Sequence, residues 1–369
     1  MKVLIAPDKF KSGLSAFEVA ACIQNALQPF GVETEVCPLA DGGEGTGSIL
    51  TNLCGGNIIT AQVHDPLMRP VEASFGLSPN GRTAFIEMSQ ASGLWRLKRE
   101  EYNPEVTNTY GTGELVLRAL ESGAVKVVLG CGGSATNDGG AGMAAALGWK
   151  FFDSAGEEFI PSGGTLKNIR SISGEAVHPL LKCSEFTVIS DVTNPLTGPY
   201  GAAFTFGPQK GADKNSVIKL DEGLIHIDKV ISQLSGKSFD KIPGAGAGGG
   251  MGAGAMYFLN AVPEQGIHYV IRASDLEEKI LSADLVITGE GKLDHQSLQG
   301  KVVSGISSLC KKHHKPLWII CGINELGPEA LDNLGAAQVI SLSEIAGSPE
   351  ESISQPAFWI EKAVTNAFQ

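Results

Sequence analysis

No stretch of the 369-residue chain approaches the ~20 consecutive apolar residues that a membrane-spanning helix needs. The opening Met-Lys-Val-Leu-Ile-Ala is too short an apolar run for a signal peptide, and Pro7-Asp8 ends it. The seven cysteines form no Cys-x-x-Cys pair, and Cys22, Cys37 and Cys321 sit inside apolar stretches. Reduced, buried thiols in a cytoplasmic protein are the expectation. Positive charge is scarce, with a net charge of -12. That argues against the broad basic footprint of a nucleic-acid binder and the polybasic patch of a protein held on anionic lipid. A small anionic substrate asks only for a local Lys or Arg. Three catalytic signatures are also missing: the phosphate loop Gly-x-x-x-x-Gly-Lys-Ser/Thr, the zinc-peptidase His-Glu-x-x-His and the nucleophile elbow Gly-x-Ser-x-Gly.

What the chain has is a globular composition, 43% hydrophobic and 18% charged, and 47 glycines gathered in short polar runs. Such runs suit close approach of backbone to a ligand. The length predicts two domains. Val3–Ala6 reads as a buried strand. Ser15 and Glu18 are spaced as a capping box, and Val19, Ile23 and Leu27 give the following helix one apolar face. A strand at 33–39 and a helix at 44–53 continue a β-α-β-α pattern. Short strands are predicted at 58–64, 71–77, 83–88, 126–129 and 186–190, with helices at 114–121, 137–147 and 213–234. From residue 274, where Ser274 and Glu277 repeat the capping-box spacing, strands at 284–288, 317–321 and 338–342 alternate with helices. Two strands from the beginning and three from the end would build one doubly wound parallel sheet. The expected organisation is an α/β domain of residues 1–57 plus 273–369 carrying a second α/β domain, 58–272, inserted into it. The active site is expected in the cleft between them. A simpler division into consecutive halves stays open.

In an open α/β sheet, ligands bind beyond the carboxyl ends of the strands. The first strand ends in Asp8, Lys9 and Lys11, the second in Asp41 and Glu44, and the third in Glu290, Lys292 and Asp294. Acids recurring at three strand ends beside glycines point to a shared site. The middle of the chain adds the loop Gly130–Gly140, whose amides and whose Ser134 and Thr136 hydroxyls could face an anion at a helix start. A turn that needs glycine only for packing is the alternative. Asp191 and Asn194 offer oxygens to a hard cation such as Mg²⁺, and Lys210 offers charge to a phosphate or carboxylate. The run Gly244–Gly254 reads equally as a second anion loop or a hinge. Glycine loops, carboxylates, lysines and a cation site are the inventory of phosphoryl transfer. A competing pattern is Gly130-x-Gly132-x-x-Ala135 with Asp153 downstream, which fits a dinucleotide fingerprint. It would make the chain an NAD-dependent oxidoreductase acting on a small 2-hydroxy acid, but it leaves the acid and lysine cluster without a role.

Seven stretches, in order along the whole chain, resemble the bacterial-type glycerate kinases. They are 6–16 (beginning Ala-Pro-Asp-Lys-Phe-Lys), 41–46 (Asp-Gly-Gly-Glu-Gly-Thr), 111–114 (Gly-Thr-Gly-Glu), 132–140 (Gly-Gly-Ser-Ala-Thr-Asn-Asp-Gly-Gly), 190–196, 206–212 (Phe-Gly-Pro-Gln-Lys-Gly-Ala) and 288–301. The resemblance implies an ATP- and Mg²⁺-dependent kinase of D-glycerate with a flavodoxin-like domain and an inserted α/β domain. It implies 2-phosphoglycerate as product, and phosphorylation of the other hydroxyl, giving 3-phosphoglycerate, is the alternative. On these stretches we expect the ATP phosphates on Gly132, Gly133, Ser134, Thr136 and Asn137. We expect Mg²⁺ on Asp191 with Asn194 or Glu290, and Lys11 and Lys210 on the glycerate carboxylate or the transferring phosphate. Asp8 and Lys301 join the substrate- and phosphate-binding set. Asp41 or Asp191 is expected to accept the hydroxyl proton. Neither nucleic acid nor membrane is an expected partner, and a homo-oligomer is left open.

Overall fold

A computed structural model describes residues 1–10, 13–298 and 301–369. They divide into two compact bodies, Met1–Asp41 with Gly266–Gln369, and Gly42–Gln265. The second body thus interrupts the sequence of the first. No helix among the described residues is long and apolar enough to cross a membrane.

The first body is built on a five-stranded sheet, Gln338–Ser341, Leu317–Asn324, Leu285–Leu293, Lys2–Ile5 and Glu33–Val36 in spatial order. All its pairings are parallel. Numbered by chain order within this body, the strands lie 2-1-3-4-5, the flavodoxin-like arrangement. Val3, Leu4, Ile5 and Ile287 are wholly buried, which is why these strands read as continuous apolar runs. The helix Ala16–Leu27 opens on Ser15 as the sequence predicts: the Glu18 amide donates to the Ser15 hydroxyl and the Ser15 amide to the Glu18 carboxylate. Its Val19, Ile23 and Leu27 join Ile360 and Val364 of the helix Pro356–Phe368 in one core. Burying each such side chain is worth roughly 1.5–3 kcal/mol. The second predicted capping box does not form. Ser274 directly follows the helix Gly266–Ala273 and is tied back to it, its amide donating to the Val270 carbonyl and its hydroxyl to the Ile271 carbonyl. The next helix, Leu276–Ser282, starts at Asp275 with no side-chain cap.

The second body has a six-stranded sheet in the order Val262–Gln265, Glu185–Ser190, Lys126–Gly130, Thr83–Glu87, Pro70–Leu77 and Asn57–His64. The first four run parallel and the last two join antiparallel. The sequence shows no strand signal at Val262–Gln265, because Pro263 removes a ladder donor. At a sheet edge that loss is tolerated. A small antiparallel sheet of Glu158–Phe159, Lys150–Phe152 and Ser171–Ser173 lies apart from the main one. The helix Thr46–Leu53, grouped with the first domain in the sequence reading, belongs to this body.

Glycine sets how closely the segments of this body approach. A methyl group on Gly249 would stand 1.9 Å from the Thr136 carbonyl oxygen, and one on Gly254 2.4 Å from that of Gly139. Gly248, Gly249 and Gly250 are consecutive left-handed residues, with φ of 62°, 73° and 90°. Gly236, which ends the helix Lys214–Ser235, has a similar φ of 72° but open space around it. Gly236→Ala should therefore carry only the left-handed cost, roughly 1–2 kcal/mol. Gly249→Ala must also force two backbone segments apart. Thermal unfolding should show a drop of a few degrees for Gly236→Ala and a much larger one for Gly249→Ala. Equal drops would contradict the packing role.

Candidate active site

The switch point of the first sheet lies between Lys2–Ile5 and Leu285–Leu293, where connections leave in opposite directions. Asp8 follows the first of these strands and Glu290 lies in the carboxyl half of the second. The Asp8 amide donates to the Gly289 carbonyl (2.8 Å), and the Lys9 amide donates to the Asp8 carboxylate (2.7 Å). Burial pushes the Asp8 carboxyl up to about 7, with Asp41 and then Glu290 adding repulsion against the opposing pull of Lys9. Glu290 is likewise pushed up to about 7, first by burial and further by Asp294 and Asp41, while Ser297 and Lys301 oppose. Asp8, Asp41 and Glu290 are thus within electrostatic reach of one another, with Lys301 beside them. Asp41 is 9% exposed. Glu290 keeps one buried carboxylate oxygen, Oε1, without a hydrogen-bond partner. Crowded carboxyls and an unsatisfied oxygen suit a cation or a proton held in common. Lys11 lies outside the described residues.

In the second body the central strand Lys126–Gly130 opens into residues 131–140. The helix expected from Asn137 begins only at Ala141, because Gly139 and Gly140 are left-handed (φ 62° and 73°). The loop is tied on every side. The Leu94 amide donates to the Gly133 carbonyl and the Ala135 amide to the Ser92 carbonyl, both at 2.9 Å. Gly132 lies against Gly43, so close that a methyl group there would be 2.8 Å from the Gly43 Cα. The wholly buried Asp138 carboxylate accepts from the Thr109 amide (2.8 Å) and hydroxyl (2.7 Å), and from the amides of Gly142 (3.1 Å) and Gly140 (3.2 Å).

Lys210, only 2% exposed, lies against this loop. Its ammonium donates to the Ser134 hydroxyl and the Thr136 carbonyl, both at 2.7 Å. Burial depresses its pKa to about 7, against the opposing pull of Asp138. Two of its three donors therefore brace the loop, a role the sequence reading did not foresee. Because Ser134 accepts from Lys210, its own proton is left to point elsewhere. Thr136 Oγ1, both polar atoms of the Asn137 amide and Ser89 Oγ are buried without partners. Each unsatisfied group of this kind costs about 1–3 kcal/mol. Several on one braced loop are what a site for a polar ligand presents.

From Gly246 onward the glycines of residues 244–254 are close-packing positions, each with an atom within 3.0 Å of where a methyl group would stand. The Gly139 amide donates to the Gly249 carbonyl (3.1 Å) and the Gly246 amide to the Asn194 carbonyl (3.0 Å), which ties the run to both neighbouring segments. Asp191 follows the adjacent strand Glu185–Ser190 and stands close enough to Cys131 to add to the burial that pushes that thiol to about 12. Asn194 donates through Nδ2 to the Tyr200 carbonyl (2.8 Å), which directs that bond through the nitrogen and leaves Oδ1 for another use. Among the described residues no three His, Cys, Asp or Glu side chains form a metal cage. Mg²⁺ does not demand one, since it is commonly held by one or two carboxylates together with phosphates and waters.

Glu87 went unnoticed in the sequence. Its buried carboxylate accepts from the amides of Gly45 and Gly47 (2.9 Å each) and Ser48 (3.4 Å), so the helix after residues 42–45 is capped from within the protein. The available signal was an acid closing an otherwise apolar strand. The dinucleotide pattern finds no support. Gly130-x-Gly132-x-x-Ala135 does not turn straight into a helix, and Asp153 holds a hairpin turn of the small sheet, accepting from the Ala155 and Glu157 amides (2.8 and 3.0 Å).

The sequence profile described as the Glycerate kinase family matches residues 3–369. A protein named glycerate 2-kinase from Escherichia coli K12 is 47% identical over 87% of this chain and 85% of its own length. A glycerate kinase from Bacillus subtilis 168 is 41% identical over 98% and 95%. A crystal structure from Salmonella typhimurium LT2, provisionally assigned as glycerate kinase 2, superposes with a TM-score of 0.86 at 37% identity, covering 100% of this chain and 97% of that one.

The buried lysine gives a stability test. Its folded pKa of about 7 lies below the ordinary 10.5, so between those values the unfolded chain binds more protons and stability rises with pH. Lys210→Met removes that contribution. The unfolding free energy of wild type minus that of the variant should increase from pH 7 towards pH 10. A difference that stays flat would show that Lys210 is not held in a desolvated site.

Proposed function

We propose that this chain, which belongs to the glycerate kinase family and is a phosphotransferase with an alcohol acceptor, moves the terminal phosphate of ATP to D-glycerate and yields 2-phosphoglycerate. The observation that carries the ATP reading is the loop of residues 131–140, braced by Lys210 and bearing buried polar groups without partners. Phosphoryl transfer asks mainly for positioning and charge stabilisation. The amides of Gly132 and Gly133, the hydroxyls of Ser134 and Thr136 and the amide of Asn137 would hold the phosphates. Lys210 would add positive charge through Ser134 and polarise its hydroxyl toward the ligand.

The acceptor hydroxyl attacks the terminal phosphorus, its proton passes to a carboxylate, and the bond to the departing ADP oxygen breaks. Asp41, as one of the crowded pair with Asp8, suits the proton acceptor, and Asp191 is the alternative base. Lys11 and Lys301 supply charge for the glycerate carboxylate. Asp191, with Asn194 or Glu290, would hold Mg²⁺, which supplies neutralisation of phosphate charge. The name of the Escherichia coli relative favours the 2-hydroxyl as acceptor.

Asp41→Asn and Asp191→Asn should each lower kcat/KM for ATP-dependent phosphorylation of D-glycerate by roughly 10²–10⁴. Lys11→Ala should chiefly raise KM for glycerate. Near wild-type kinetics in all three would sink the assignment. Phosphorus NMR of the product should show a doublet, from coupling to the single hydrogen on C2. A triplet would instead place the phosphate on C3.

A further inference from the structure

We propose that the adenine ring of the nucleotide sits in a cavity of the second body, formed on the sheet edge between the strands Glu185–Ser190 and Val262–Gln265 and the segment Ile242–Gly244. The inference rests on the ATP reading above and goes beyond it to the place and mode of base recognition. The cavity measures about 270 Å³. That is just below the roughly 300–1,000 Å³ of sites for whole drug-sized ligands, a size for part of a nucleotide.

Its chemistry selects the part. Val188, Val192, Ile242 and Pro263 supply apolar wall, and no lysine or arginine lines it. A phosphate or carboxylate would be buried there without a counter-charge, at high cost. A flat, neutral heterocycle loses little by leaving water and gains contact. The cavity's polar lining is Ser190, Thr193, Glu264 and Gln265, and Ser190 pairs in register with Gln265 at the carboxyl ends of the two strands. Gln265 is exposed, and its carboxamide carries a donor and an acceptor side by side, the pattern that pairs with an adenine edge.

Position supports the same occupant. Ser190, Val192 and Thr193 on the cavity wall flank Asp191, the proposed cation ligand. Gly244, also on the wall, begins the glycine run whose Gly249 packs on Thr136 of the phosphate loop. The cavity thus adjoins the proposed cation ligand in sequence and is linked to the loop assigned to the phosphates through the packing of the glycine run. It also lies over the carboxyl-terminal halves of two parallel strands, towards the edge at which open α/β sheets take ligands.

The test separates base from phosphates. Adenosine and inorganic tripolyphosphate are each titrated as inhibitors against ATP, with wild type, Val192→Trp and Gln265→Ala. In wild type both should compete with ATP. Val192→Trp, which fills the cavity, should weaken adenosine inhibition and raise KM for ATP at least tenfold, with tripolyphosphate inhibition and KM for glycerate within about twofold of wild type. Gln265→Ala, an exposed position that leaves the core untouched, should weaken adenosine several-fold and tripolyphosphate not at all. Adenosine inhibition that is absent in wild type, or unchanged in Gln265→Ala and in folded Val192→Trp, overturns this site. Failure of wild type to phosphorylate glycerate with ATP would instead overturn the reading on which the site rests.

Discussion

The packing of one backbone segment on another, with no side chain between, governs the second body. Gly249 meets Thr136 and Asn137, and Gly250 and Gly254 meet Gly139 and Gly140, at distances that leave no room for a methyl group. That contact fixes residues 131–140 from one side. Lys210 fixes them from another through Ser134 and Thr136, and Asp138 ties in Thr109 and the following helix. A loop held this way reorganises little when charge develops nearby, which is what electrostatic stabilisation of a transferring phosphate asks of its surroundings. In the proposed nucleotide site, the unsatisfied Thr136 and Asn137 groups would be the cost of that readiness: stability given up in the free protein and recovered on binding a polar ligand.

The first body applies the opposite electrostatic device. A parallel sheet buried on both faces brings Asp8 and Glu290 out at its switch point, and burial there raises both carboxyls to about 7. Asp41 adds to each. Three acids in so small a region shed their mutual repulsion either by sharing a proton or by facing a cation. A group that accepts a hydroxyl proton near neutral pH and one that serves a magnesium–nucleotide can therefore arise from the same crowding. The net charge of -12 sets no obstacle to anionic substrates, because a small anion asks only for positive charge close to it.

Much of this was legible in the residues. The apolar runs gave the five strands of the first sheet and hence the doubly wound fold, and the Ser15–Glu18 spacing gave a cap that forms as drawn. Two failures arose where a local pattern was overridden by tertiary context. Ser274 and Glu277 have the spacing of a cap, but a helix already occupies the residues before them. Val262–Gln265 carries a proline and too few apolar residues to look like a strand, yet the neighbouring strand supplies the pairing. The Asn137 helix start ignored two glycines that prefer left-handed geometry. Lys210 and Glu87 could be noticed as charges in apolar surroundings. Only coordinates show that one braces a loop and the other caps a helix, since both partners are far away in sequence. The glycine run at 244–254 was ambiguous because glycine serves close packing, hinges and anion loops alike.

The account stands on the claim that residues 131–140 are a ready-made seat for nucleotide phosphates. The direct measurement is calorimetric titration of wild type and Asn137→Ala with a non-hydrolysable ATP analogue. Loss of the buried amide should weaken binding of the analogue about tenfold or more, on the scale of about 1–3 kcal/mol for such a group. Thermal stability should be unchanged or slightly higher, because an unsatisfied group has been removed. Wild-type affinity for the analogue in a stably folded Asn137→Ala would contradict the claim.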